Sequence, residues 1–192
     1  MKFLSVLAIC MSVTVFAAMP VDFSEMNIHS MSGLEFDGTQ LRSWKAGDFV
    51  NYSIRVGTAV EGTLTTTVKS VDASNTILVQ ILDLGTSGKK TCVIYLDSTT
   101  GDSKKEICNG VEEPIRSEEA PSTTILVQKE VQVTVPAGVF LALYAKVKNN
   151  DNNLISEVWM NMDLIPILGV VKYIEQSPLG VFTMELISYK KN

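Results

Sequence analysis

The run VQVTVPAGVFLALYAKV, residues 131–147, decides the fold class. Val131, Val133 and Val135 alternate with Gln132 and Thr134. After Pro136-Ala137-Gly138, the odd positions Val139, Leu141, Leu143, Ala145 and Val147 alternate with Phe140, Ala142, Tyr144 and Lys146. Strand side chains alternate between two faces, whereas a helix repeats its apolar positions every three or four residues. Proline has no N–H to give a ladder and glycine tolerates turn geometry, so the interruption reads as the bend between two strands.

The same period extends in both directions. Ile125 and Val127 lead into the run beside Gln128 and Glu130. Further upstream, Val50, Tyr52, Ile54 and Val56 oppose Asn51, Ser53 and Arg55, and Leu64, Thr66 and Val68 oppose Thr63, Thr65, Thr67 and Lys69. Residues 77–84 are apolar on both faces, as a central covered strand would be. Turn residues at Gly57, 72–75, 85–88, 136–138 and 149–153 separate the runs. The spacing predicts a mainly all-β domain over 44–192, an antiparallel meander. The best short helical candidate is 162–168, and Pro166 argues against it.

Cys92 and Cys108 flank turn chemistry at 97–102. A three-residue loop Thr99-Thr100-Gly101 would place glycine at its left-handed position, set Ser98 opposite Asp102 and bring Cys92 opposite Cys108. Directly opposed strand residues lie within disulfide reach. A disulfide is therefore expected, with two free buried thiols as the alternative. No metal site is expected, since two distant cysteines with no nearby histidine do not complete a coordination shell.

The N-terminus supplies the route to an oxidising compartment. Met1-Lys2 precedes an apolar run to Val15, and Phe16-Ala17-Ala18 follows. One positive charge, a stretch too short to span a bilayer and small terminal residues read as a secretory signal over 1–17, cleaved after Ala17 with Val15 at −3. A lipoprotein site at Cys10 would need a small residue before it, and Ile9 is not small. Residues 18–43 show no sustained period and read as an irregular N-terminal arm. The expected destination is periplasmic or secreted.

About 175 residues remain, enough for one sizeable core. With Lys2 gone, fifteen basic residues face 21 acidic ones, a net charge of −6. Mild acidity without basic clusters argues against nucleic acid and an anionic membrane surface, and no later segment is long and apolar enough to span a membrane as a helix. The acidic segment 111–122, between Pro114 and Pro121, reads as a solvated loop because it lacks the ligand spacing of a calcium loop.

Chemistry-bearing motifs are absent. The chain has one histidine, His29, in the irregular arm, and lacks a Gly-x-Ser-x-Gly elbow, a phosphate-cradling loop or a His-rich metal spacing. Met26, His29 and Met31 would suit copper(I); the plainer reading docks Met26 and Ile28 on the sheet and leaves His29 in water. No enzyme activity and no cofactor are expected.

The most distinctive residues are Val135-Pro136-Ala137-Gly138-Val139-Phe140, then Val158-Trp159-Met160, then Pro166-Ile167-Leu168-Gly169-Val170-Val171-Lys172-Tyr173 and a strand ending at Tyr189. This order resembles exported bacterial β proteins with half-barrels similar to the lipoprotein-carrier (LolA/LolB-like) fold. The likeness is strongest over 125–190, with a weaker echo from Trp44 to Tyr52. It implies a curved sheet around an apolar concavity and places no functional residue by motif. The leading expectation is a non-catalytic protein binding or carrying an apolar ligand such as a lipid acyl chain. Phe140, Tyr144, Trp159, Met160, Met162 and Phe182 are the lining candidates. The alternative is a structural or interaction module that binds another envelope protein through a sheet edge or the acidic loop.

Overall fold

A computed structural model of the protein describes residues 43–57, 60–114, 122–177 and 180–192. The signal segment with Cys10, the arm through residue 42 with Met26, His29 and Met31, and residues 115–121 of the acidic segment lie outside the described residues. The described chain forms eleven strands: β1 Phe49–Val56, β2 Val60–Val71, β3 Asn75–Asp83, β4 Lys89–Asp97, β5 Ser103–Cys108, β6 Val111–Glu113, β7 Thr123–Val135, β8 Gly138–Asn149, β9 Ile155–Met160, β10 Val170–Ser177 and β11 Gly180–Lys190. They make one antiparallel sheet in the order β6-β5-β4-β3-β2-β1-β11-β10-β9-β8-β7, not closed into a barrel. The 162–168 segment is a turn, with Ile167 at φ 61°, and not a helix.

Every neighbour in this order is a sequence neighbour except one pair. β1 lies between β2 and β11, so the first and last strands join two meanders at the centre of the sheet. The join is fastened beyond its ladder. Asp48, 1% exposed, accepts the Lys45 N–H at 2.9 Å on one carboxylate oxygen and the Asn192 N–H at 2.7 Å on the other. From β1, the Tyr52 hydroxyl reaches over β11 and donates to the carbonyl of Val170 at 3.0 Å. Burial pushes that hydroxyl's pKa up and keeps it a donor.

One face of the sheet carries the core. Val50, Tyr52, Ile54, Val68, Leu96, Val158, Val171, Met184 and Leu186 are essentially inaccessible. Five of the ten strand pairings contain a register shift, and each bulge bends its strand and strengthens the local twist. The bulge opposite Asn51/Tyr52 places Ile187 as the extra residue. Beside it, the Leu186 carbonyl accepts the N–H of Ala137, in the β7–β8 turn, at 3.0 Å. The tip of that hairpin therefore folds back onto the sheet centre. Pro136, with no N–H, and Gly138, at φ 137°, make this turn possible.

Cys92 and Cys108 face each other across β4–β5 and form a disulfide, with Cα atoms 4.1 Å apart. The loop differs from the expected one. Asp97, rather than Ser98, opposes Asp102, donating its N–H to the Asp102 carbonyl at 2.8 Å. The loop is one residue longer than expected, and a bulge between Tyr95 and Leu96 on the pairing restores the Cys92–Cys108 register. Asp97 wins the contest for the turn because its carboxylate accepts the Thr99 and Thr100 N–H groups and an ion pair from Lys104 at 2.8 Å. Lys104 first, then those N–H groups, hold its pKa down at about 2.

The start of the acidic segment is also more ordered than its composition suggests. Val111–Glu113 pairs with β5 as β6. The two-residue turn is Asn109-Gly110, both at positive φ (51° and 84°), which this dipeptide favours for hairpins. Replacing both cysteines with alanine should lower unfolding free energy by about 3 kcal/mol, the loop-entropy value for a bridge of this span. Urea denaturation of the double variant checks this, and an unchanged midpoint would contradict it.

Candidate functional site

The six expected lining residues do not converge on one cavity. Met160 and Phe182 are buried on the core face, where Phe182 meets Tyr173 edge-on at 6.0 Å. Phe140, also buried, packs edge-on against Tyr189 at 6.0 Å through the folded-back hairpin tip. Tyr144 and Trp159 pair in register on the opposite face of the sheet. Met162 lies beyond the end of β9 and is exposed. Period two accounts for this division: Trp159 sits between Val158 and Met160, and so must point away from both.

Tyr144 and Trp159 belong to a row that crosses nine strands. Register places Lys129, Tyr144, Trp159, Lys172, Glu185, Ser53, Thr63, Asp83 and Lys89 side by side from β7 to β4. The rings of Tyr144 and Trp159 lie 4.9 Å apart, with Lys129 Nζ 5.7 Å from the first and Lys172 Nζ 5.8 Å from the second. Lys172 also pairs with Glu185 at 2.7 Å, and the Tyr144 hydroxyl donates to Glu157 at 2.9 Å. Desolvation first, then Glu157, raises the Tyr144 pKa. Each ring thus has the other ring and one lysine beside it, contacts that tie β7, β8, β9 and β10 together on the outer face.

The apolar surface left open lies elsewhere. Among the described residues, eight of the eleven exposed large hydrophobic side chains fall between Ile125 and Leu164. On β8, Leu143 faces Met160, and Leu141 and Val139 continue on that same face. β9 ends at Met160, so β8 runs on past Leu143 without that neighbour. Buried Phe140 and Ala142 point the other way, and their burial leaves Val139 58% and Leu141 62% exposed.

The loop from Asn161 to Gly169 borders this strip. Asn161 Nδ2 donates to the Leu141 carbonyl at 2.8 Å, while its Oδ1 accepts the Leu164 N–H at 2.9 Å. Gly169, at φ 66°, closes the loop by accepting the Asn161 N–H at 2.7 Å, and a Cβ there would lie 2.8 Å from Met162 Cγ. Ile165 and Ile167 are buried beneath, and Met162 and Leu164 remain exposed. The geometry thus gives an aliphatic strip, Val139-Leu141-Leu143, continuous with the core at Met160 and flanked by a fixed loop.

Val139, Leu141 and Leu143 escaped selection in the sequence because both faces of β8 are apolar. Which face the tip buries depends on the long-range contact between Ala137 and Leu186. On the core face, the Tyr173 hydroxyl is shared between Glu175 and Ser156, and burial first, then Glu175, raises its pKa. That arrangement satisfies a buried hydroxyl. One trio of metal-ligating types comes together among the described residues: Cys92, Glu106 and Cys108.

No protein-family model matches the chain, and a search of curated proteins finds no match. A double-mutant cycle on Tyr144→Leu and Trp159→Leu should give a coupling energy of about 0.5–1.5 kcal/mol. Denaturant melts of the four proteins measure it, and additive effects would show that the outer row braces nothing.

Proposed function

We propose that the chain is an exported, non-catalytic protein that binds an apolar ligand such as a lipid acyl chain on the open strip of β8. The observation that carries this reading is the exposure of Val139 and Leu141 on a face that elsewhere forms the core. These exposed side chains stand where β8 runs past the end of β9 and a loop takes the place of a strand, and apolar burial is worth about 25 cal/mol per Å². The resemblance of residues 125–190 to lipoprotein-carrier half-barrels supports the same ligand class.

The reading moves the contact away from the expected concavity. Phe140, Met160 and Phe182 are already covered by protein, while Tyr144 and Trp159 take no part. Export to a periplasmic or extracellular destination agrees with the Cys92–Cys108 disulfide, because such bonds persist in oxidising compartments. Among the described residues, no helix is long and apolar enough to cross a membrane.

A second reading, an interaction module for an envelope protein, rests on the thirteen-residue β7, whose outer edge has no strand partner among the described residues. Lys129, Glu130 and the bulge at Leu126 are the devices that discourage edge pairing, so this reading is the weaker. Native mass spectrometry and binding of a fluorescent fatty acid distinguish the two. Leu141→Asp should abolish fatty-acid binding without lowering stability, and Trp159→Ala should leave binding unchanged. Binding that survives Leu141→Asp would contradict the proposal.

A further inference from the structure

We propose that Cys92, Cys108 and Glu106 form a metal site once the disulfide is opened, taking a divalent cation of the zinc class. Glu106 lies two residues before Cys108 on β5, so the strand period puts both on one face, next to Cys92 across the ladder. Its Oε1 sits 3.2 Å from the Cys108 sulfur. All three ligand atoms lie within 4.8 Å of one another. Zinc–ligand bonds of about 2.0–2.3 Å in a tetrahedron set neighbouring ligand atoms roughly 3.5–3.8 Å apart, so small rotations of three side chains reach that geometry.

The surroundings suit such a cation. Both cysteines are buried, at 5% and 3% exposure, which restricts competing water. Lys90, two residues before Cys92 on β4, pairs with Glu113 at 3.1 Å, and Glu113 faces Glu106 in the β5–β6 ladder. A second carboxylate, Glu113, thus stands next to Glu106, with its charge paired to Lys90. In the oxidised protein the sulfur has no proton to donate, so the 3.2 Å approach of Glu106 is a contact between acceptor atoms. Once the bond is opened, the same approach becomes a ligand position.

Opening the bond takes two electrons and two protons. A dithiol reductant supplies both and becomes a disulfide itself, leaving thiols at Cys92 and Cys108. The cation then displaces the two thiol protons to solvent and is held by two thiolates and the Glu106 carboxylate, with water in the fourth position.

The test uses the mature chain reduced with a phosphine, which is oxidised to its oxide with oxygen from water and leaves no competing thiol. Cobalt(II) is the probe. Reduced wild type should show thiolate-to-cobalt charge-transfer bands saturating at one equivalent and bleached by zinc, while the oxidised chain shows none. Glu106→Gln should weaken binding by at least about tenfold, with Glu106→Asp recovering part of the loss. Absence of the bands in reduced wild type would overturn the proposal, as would equal affinity in Glu106→Gln. If reduction unfolds the sheet, cobalt should restore the far-UV circular dichroism of wild type, and failure to do so counts against the site equally.

Discussion

The pairing of β1 with β11 is the constraint on which the rest of the sheet depends. Each of the other nine ladders joins strands that follow one another in sequence, and could begin locally. The central ladder alone closes a loop of well over a hundred residues, a cost met before its contacts repay it. Asp48 offsets part of that cost by taking N–H groups from both ends of the domain, and Tyr52 extends the fastening to β10. A buried carboxylate and a buried hydroxyl are tolerable there because each is fully occupied by backbone partners.

The same join determines where apolar surface remains open. The bulge at Ile187 comes beside the Leu186 carbonyl that receives Ala137, and this bond draws the β7–β8 tip across the sheet. Phe140 and Ala142 are buried as a result, and Val139 and Leu141 are turned outward. The strip proposed to bind an apolar ligand is therefore a consequence of long-range folding and not a local property of β8. Tyr144 and Trp159, clasped between Lys129 and Lys172, hold the outer face while the tip bends.

Much of this was legible in the chain, and the limits are physical. Period two identified the strands and the β fold because it follows from the backbone alone. It also set Cys92 against Cys108, although through a loop one residue too short, compensated by an unforeseen bulge. Asn109-Gly110 is a hairpin signal that went unread beside the acidic composition that follows it. Alternation cannot identify partners, so the β1–β11 ladder was invisible. It also cannot say which side of a two-sided apolar strand is covered, so Val139 and Leu141 were passed over. Grouping Trp159 with Met160 set aside the alternation itself, which already put them on opposite faces.

Native-state hydrogen exchange tests the central claim most directly. If the β1–β11 ladder holds the two meanders together, the amides of Tyr52, Ile54, Met184 and Leu186 should exchange only through global unfolding, with free energies equal to the denaturant-derived stability. Those of β6 and of the outer edge of β7 should open at much lower cost. Exchange of the β1 and β11 amides by local opening, while β3–β4 or β8–β9 stayed protected, would show that the meanders stand independently and would contradict the account.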